Sequence, residues 1–139
     1  MNIEGFHKQI RPRQIDIERI KSILKSAQAN AKVVANMALN DDSASVIFRE
    51  IYESIRQLGD AMLWMNGYGP LNHEVSLDAL RSLDIKNKIL LNHLSRFKAI
   101  RNDINYRGFT ASQSQAKEII DFWKKCTPEI IEKINKEMK

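Results

Sequence analysis

Apolar residues recur at intervals of three and four along most of this chain, which is the spacing of one face of an α-helix. The pattern predicts a first helix over residues 13–40, with an apolar face formed by Ile17, Ile20, Leu24, Ala27, Ala31, Val34 and Ala38. A short turn follows, where Asp42 or Ser43 is suited to cap a second helix that runs back antiparallel to the first. The core face of this second helix is predicted to be Ile47, Ile51, Ile55, Leu58, Met62 and Met65.

Helix-breaking residues divide the rest of the chain. Residues 67–70 read Gly-Tyr-Gly-Pro and must end the second helix, because Gly allows positive φ and Pro lacks the backbone donor. A short helix is predicted over residues 74–83. A fourth helix is predicted over residues 85–106, with Asp84 as its N-cap and Gly108 as its C-terminal stop.

The last helix has a clear start and an internal interruption. Ser112 and Gln115 have the spacing of a capping box, in which each side chain bonds the backbone N–H of the other. Pro128 lies inside the apolar pattern, so a kink is predicted there, or a restart with Thr127 as a local cap.

These elements together predict an all-α fold, an up-and-down bundle of about five helices. Only 5 Gly and 3 Pro occur among the 139 residues, which agrees with long helices. Chains of this length usually form a single domain, and residues 13–139 are assigned to it. Residues 1–12 show no period and are predicted to be a frayed N-terminal arm.

Charge and composition narrow the function classes. The net charge of +5 favours an acidic partner, such as nucleic acid, through long-range attraction. The single cysteine, Cys126, excludes an internal disulfide and a cysteine-based metal cage, and the 3 His are scattered. We therefore expect no metal and no cofactor. The chain has no long uncharged span and no apolar leader, so we expect a cytoplasmic protein.

One basic residue lies where the fourth helix should be apolar. With Phe97 at the centre of the helix face, Leu90, Leu94, Ile100 and Ile104 form a stripe, and Arg101 falls inside it, roughly 40° from the centre. His93 lies on the other flank of the stripe. A buried guanidinium needs an acid, a subunit interface or an anionic ligand, because an unpaired buried charge is very costly. Arg101 is therefore the best functional candidate in the sequence.

The residues around Arg101 resemble a known motif. Arg101 and Asn102, followed closely by Tyr106, are similar to the signature of the HEPN family (higher eukaryotes and prokaryotes nucleotide-binding). In that family an Arg, usually followed by Asn, precedes a His by four to six residues near the end of a helix. The resemblance continues in an earlier part of the chain, at Arg56, Gly67, Tyr68, Asn72 and His73. No His follows Arg101, and Tyr106 stands at the corresponding spacing.

The resemblance implies a small helical bundle that forms a homodimer, with paired motifs facing a cleft between the subunits. Many HEPN proteins are metal-independent ribonucleases, often toxins encoded beside a nucleotidyltransferase-like antitoxin. It implies here a cleft that binds RNA or nucleotides through Arg101, Asn102, Asn105, Arg107, Arg56 and His73. Arg suits phosphate because its planar fork stays charged and presents several donors.

Catalysis would require a group that accepts the 2′-hydroxyl proton. The candidate catalytic residues are Arg101, Tyr106 and His93. A Tyr is almost wholly protonated at neutral pH and is a weak base, so His93 or His73 would have to replace the missing His. The resemblance thus implies a ribonuclease that is weak or inactive.

A second interpretation is a dimeric helical interaction protein without enzymatic activity, whose partner is a nucleotidyltransferase-like protein. In that case Arg101 would be held by an acid such as Glu50, Glu53 or Asp60. Two of the other candidates have a structural alternative as well. Arg56 would pair with Glu53 or Asp60 on its own helix, and His93 would be a hydrogen-bonded core residue.

Overall fold

A computed structural model describes residues 8–138 and shows an all-α fold, as predicted. Its five α-helices are α1 (Ile17–Ala35), α2 (Ala44–Met65), α3 (His73–Arg81), α4 (Leu94–Tyr106) and α5 (Gln113–Glu137). A 3₁₀ helix (Lys88–His93) precedes α4, and two short strands, β1 (Ile10–Pro12) and β2 (Tyr68–Pro70), form an antiparallel pair. Within the described residues, no helix combines the length and the apolarity needed to cross a membrane.

The core is organised around α2, which packs against α1, α3 and α5. The predicted face of α2 is buried, with Ile47, Ile51, Ile55 and Leu58 at 0% exposure. Ile20, Leu24, Ala27, Ala31 and Val34 of α1 are buried as well, as predicted. Burying a large aliphatic side chain stabilises a fold by about 1.5–3 kcal/mol, so these two helix faces supply much of the stability.

Three aromatic rings join the outer helices to α2. Phe97 of α4 lies with its ring centroid 5.9 Å from that of Phe48 on α2 and 5.5 Å from that of Phe122 on α5. Both pairs are edge-to-face, an arrangement that the ring quadrupoles favour. The position chosen as the centre of the α4 face is therefore the one that fastens α4 to the bundle.

The N-terminal residues differ from the prediction. Ile10 is 6% exposed and packs with Leu63, Val75 and Ala79, while its strand β1 pairs with β2 in the register Ile10 to Pro70. The predicted frayed arm is therefore wrong for residues 10–12, and residues 1–7 of that arm lie outside the described part. Three residues are too few to show a period, and the partner strand is distant in sequence, so local patterns could not indicate the pairing.

Local hydrogen bonds make α1 shorter than the predicted span of residues 13–40. Asp16 begins the helix, since its Oδ1 accepts a hydrogen bond of 3.1 Å from the Arg19 N–H. The turn after α1 is closed by Asn40, whose Oδ1 accepts from the Ser43 N–H at 2.9 Å. The Ser43 hydroxyl donates to the Ala38 carbonyl, so it stabilises the turn and makes no capping bond to α2.

The predicted fourth helix begins later than expected, and Asp84 is not its cap. The Lys86 N–H donates to the Glu129 carboxylate at 3.0 Å, and the Asn87 side chain donates to the Lys125 carbonyl at 3.2 Å. These bonds to α5 hold residues 86 and 87 outside a helix. The chain then passes through the 3₁₀ segment, and α-helical geometry starts only at Leu94.

The last helix is continuous, which contradicts the predicted restart at Pro128. Its capping box is present as predicted, with both the Ser112 and the Gln115 bonds formed. Thr127 is 3% exposed inside the helix and is not a cap. Buried residues on both sides, Cys126 and Ile130, hold the two halves against the core and offset the hydrogen bond that Pro128 removes.

Candidate functional site

Arg101 lies on α4 with its guanidinium against tyrosine rings. Its central carbon is 5.7 Å from the ring centroid of Tyr52 on α2 and 5.8 Å from that of Tyr106. Both distances are within cation–π range. Tyr52 is 3% exposed, so it forms a rigid base for the guanidinium. One hydrogen bond of 3.1 Å runs from Arg101 Nη1 to the Asn102 side-chain oxygen.

The acids near Arg101 are occupied by another arginine. Arg56 of α2 donates to Glu53 at 3.1 Å and to Asp60 at 2.7 Å, as the structural alternative for Arg56 predicted. Asp60 also accepts a hydrogen bond from the Ser76 hydroxyl of α3. Among residues 8–138, no carboxylate forms an ion pair with Arg101. The expectation that Glu50, Glu53 or Asp60 would hold Arg101 is therefore wrong for this fold.

Burial and neighbouring charges shift the pKa values of these groups in different directions. Burial raises the pKa of Tyr52, against the opposing charges of Arg101 and Arg56. Burial alone would raise the pKa of Glu53, but the hydrogen bond and charge of Arg56 outweigh it, so the pKa is lowered. Burial raises the pKa of Asp60 despite its bond to Arg56. Tyr52 stays protonated and Glu53 ionised at neutral pH, so neither group suits proton transfer there.

The structure separates the two histidines that were candidates for proton transfer. His73 is the exposed first residue of α3, which packs against α2, whereas Arg101 lies on α4. The cap of α3 is Asn72, whose side-chain oxygen accepts from the Val75 N–H at 3.0 Å.

His93 lies in a different cluster. Its ring stacks on Phe97, with centroids 6.0 Å apart, and Nδ1 is 2.8 Å from Arg96 Nη2. Glu118 of α5 lies 3.6 Å from the same nitrogen. The side chain is 38% exposed, so His93 is hydrogen-bonded as predicted but is not a core residue. Eight residues separate it from Arg101, roughly 12 Å along the helix axis.

The C-terminal end of α4 is more exposed than the predicted apolar stripe implied. Ile100 and Ile104 are only half-buried, because this part of the helix extends beyond the tightly packed Leu94 and Phe97. Tyr106 is 74% exposed, yet its ring reaches the Arg101 guanidinium while α4 remains helical to Tyr106. Residues five apart lie roughly 140° from each other on an ideal helix, so backbone geometry alone predicts that Arg101 and Tyr106 meet only if the helix unwinds. The length of the two side chains makes unwinding unnecessary.

The remaining predicted site residues lie at the surface. Asn105 and Arg107 are exposed, and Arg107 makes a weak ion pair with Asp103 at 3.5 Å. Gly108 has a φ of +70°, the left-handed conformation predicted for a helix stop, and the chain turns away from α4 there. Phe109 follows with 59% of its surface exposed.

A shallow groove of about 360 Å³ runs between α3 and α4, and Asn102 is part of its lining, next to Arg101. Its cations are paired, since Lys98 bonds Glu74 at 2.7 Å and Arg81 bonds Asp78 at 3.1 Å. The sequence did not connect Tyr52, Ser76 or Arg81 with Arg101, although Tyr52 and Arg56 are four residues apart and share a face of α2. Within residues 8–138, the structure brings together no group of three His, Cys, Asp or Glu side chains that could hold a metal ion.

Comparison of the chain with family models, with curated proteins and with solved structures gave no match in any of the three. The resemblance to HEPN proteins therefore stays a prediction that rests on the motif residues.

Proposed function

We propose that this protein binds the phosphate groups of RNA or nucleotides at Arg101, as a HEPN-like homodimer with weak or absent ribonuclease activity. One observation carries the proposal. The Arg101 guanidinium is held against the buried Tyr52 ring, bonds only its neighbour Asn102, and has no carboxylate partner among residues 8–138. A guanidinium has five N–H donors, so most of them remain open to an anion.

The neighbouring side chains suit the rest of a nucleotide. Tyr106 is exposed and offers a ring on which a base can stack, as single-stranded RNA requires. Asn105 and Arg107 are exposed at the same helix end, where they can contact ribose and phosphate. Arg56 has a different role in this proposal, since Glu53 and Asp60 take up its donors on α2, and Asp60 in turn accepts a hydrogen bond from Ser76 of α3.

The exposed end of α4 supports a second copy as the other side of the cleft. Tyr106 and Phe109 are 74% and 59% exposed, and Ile100 and Ile104 are half-buried on the same part of the chain. Large exposed aromatic side chains are typical of interfaces. Sedimentation at micromolar concentration should show a dimer, and Phe109→Asp should shift it towards monomer. A parent protein that sediments only as monomer would overturn this part of the proposal.

RNA binding can be tested by arginine substitutions on α4. Arg101→Gln should weaken binding of a labelled single-stranded RNA and reduce its salt dependence, because each lost phosphate contact lowers the slope of log K against log salt by about 0.7. Arg107→Gln should have a similar effect on the slope. The matched control is Arg96→Gln, because Arg96 lies on the same helix but is paired with Glu118. If Arg96→Gln and Arg101→Gln changed RNA affinity and its salt dependence equally, the RNA would bind elsewhere on the protein.

The second candidate is a dimeric interaction protein that binds a nucleotidyltransferase-like partner, as in toxin–antitoxin pairs. The exposed Tyr106 and Phe109 favour it equally well, because aromatic side chains are enriched at protein interfaces. A parent protein that does not bind RNA even at low salt would support this candidate and overturn the first.

A further inference from the structure

The helices α1 and α5 leave an open groove between them. Both pack against α2 but scarcely touch each other. The main part of the groove has a volume of about 630 Å³ and a largely apolar lining that includes Ala31, Ala35, Trp123, Pro128 and Ile131. A smaller hollow of about 330 Å³ continues it along α1 past Lys21 and Leu24, and Gln28 lines both.

The groove has the length of a short helix. Its lining runs from Lys21 to Asn36 on α1 and from Trp123 to Asn135 on α5. At 1.5 Å per residue these spans are roughly 22 Å and 18 Å, which correspond to a helix of about 12–15 residues. The side chains of Ala31 and Ala35 on α1 are small, so the backbone of another helix can approach α1 closely.

The rim of the groove is basic. Lys21, Lys25, Lys32 and Lys124 are exposed along it, and the lining of the two parts contains no Asp or Glu. None of these four lysines forms an ion pair in the described part of the chain, whereas the neighbouring Lys125 is paired with Asp121. A row of free cations beside an apolar floor is complementary to an apolar face with acidic flanks.

The floor also has unused hydrogen-bonding groups. Thr127 lines the groove and is 3% exposed, and its hydroxyl oxygen has no hydrogen-bond partner within residues 8–138. Pro128 cannot donate the helical bond that the Lys124 carbonyl would receive. Buried polar groups are normally satisfied, so the unpartnered Thr127 hydroxyl supports a surface that another molecule completes.

We infer that the α1–α5 groove docks an amphipathic helix of a partner protein, with an apolar face and acidic residues on its flanks. The incoming helix would lie opposite α2 and complete a four-helix arrangement with α1, α2 and α5. The groove shares no lining residue with the Arg101 site, so the inference is independent of the proposed RNA binding.

A pair of synthetic peptides tests the charge selection in the unmodified protein. The probe is a labelled peptide of about 15 residues, helical, with leucines spaced three and four apart and glutamates on the flanks of that face. The control peptide has lysines in place of the glutamates. The acidic peptide should bind at least about tenfold more tightly at low salt, and added salt should reduce the difference. Equal binding of both peptides, or no binding of the acidic one, would overturn the inference.

Two protein variants then locate the binding. Lys32→Glu with Lys124→Glu should weaken the acidic peptide by about tenfold or more. The control, Lys88→Glu with Lys117→Glu, changes the net charge equally at exposed lysines outside the groove and should have little effect. Equal effects of the two double variants would mean that net charge alone attracts the peptide, which contradicts the inference.

Ala35→Trp distinguishes a partner helix from a second copy of this chain. The indole should fill the half-buried wall of the groove and abolish peptide binding, while circular dichroism verifies that the variant is folded. The sedimentation of the unliganded protein should not change. A folded variant that still binds the peptide would overturn the inference. So would a dimer that dissociates on this substitution, because the groove would then be occupied by a second copy.

Discussion

Gly59→Ala tests the contact that places α3, and with it His73, beside α2. Gly59 lies in the middle of α2, where a Cβ atom would be 2.1 Å from the Ser76 carbonyl oxygen and 2.6 Å from its carbonyl carbon. Ser76 is fully buried, and the clashing atoms belong to the backbone. A rotamer change cannot relieve the overlap, so α3 itself must move away from α2.

The expected change in the free energy of unfolding combines one stabilising and two destabilising contributions. Alanine favours a helix over glycine by about 1 kcal/mol. Overpacking a well-filled contact costs about 1–3 kcal/mol, and displacing Ser76 weakens its bond to Asp60, where a hydrogen bond to a charged group contributes about 1.5–3 kcal/mol. We expect the free energy of unfolding to fall by about 2–4 kcal/mol. For a domain of this size, that lowers Tm by roughly 3 °C per kcal/mol.

Thermal unfolding followed by far-UV circular dichroism measures this change, and urea unfolding provides an independent free energy. Gly108→Ala is the matched control. Its φ is +70° but nothing lies within 4 Å of the added Cβ, so only the left-handed backbone costs energy, about 1–2 kcal/mol. Gly59→Ala should therefore be the more destabilising of the two.

A Gly59→Ala protein that is as stable as the parent would refute the reasoning. A gain of about 1 kcal/mol, the helix-propensity term alone, would show that α3 does not approach α2 at this position. The placement of Ser76 beside Asp60 would then be wrong as well.

Three further predictions concern proton chemistry. Tyr106→His should create or raise metal-independent ribonuclease activity by about 10²- to 10⁴-fold, because the ring at this position lies beside Arg101. Adding Arg101→Ala should abolish the gain. A folded but inactive Tyr106→His dimer would mean that more than the His is missing. Carbon NMR titration should show the Asp60 pKa above and the Glu53 pKa below their ordinary values. Glu53 then contributes stability above its unfolded-state pKa, and this stability is lost as pH falls through its folded-state pKa. Asp60 contributes stability at low pH, which is lost as pH rises through its folded-state pKa. The reverse order of shifts would contradict the Arg56 network. Burial raises the pKa of the Cys126 thiol to about 11. A thiol reagent at neutral pH should therefore react with Cys126 only as fast as the protein unfolds. Reaction at the rate of free cysteine would contradict that burial.

Local sequence determined the helical fold class and several element ends. The three- and four-residue spacing of apolar positions identified most of the buried faces of α1 and α2, since a helix face is a property of consecutive residues. The exceptions are Ile17 and Met65, which are half-buried, and Ala38, which is exposed beyond the end of α1. The Ser112–Gln115 capping box and the Gly108 stop were also predictable, because each depends on a few neighbouring residues. The pairing of Arg56 with Glu53 and Asp60 is of the same kind, three and four residues apart on one helix.

Tertiary contacts decided the features that involve distant residues. The β1–β2 pair joins segments on either side of α1 and α2. The bond from Lys86 to Glu129 delays the start of α4. In both cases the two bonded residues are far apart in sequence, so a local pattern does not show the pairing. The surroundings of Arg101 were decided in the same way. Its position in an apolar stripe indicated that it needed a partner, but only the packing of α4 on α2 placed it against Tyr52 and left the nearby acids to Arg56. Which charges meet depends on three-dimensional distance, and a single sequence specifies that distance only along one helix.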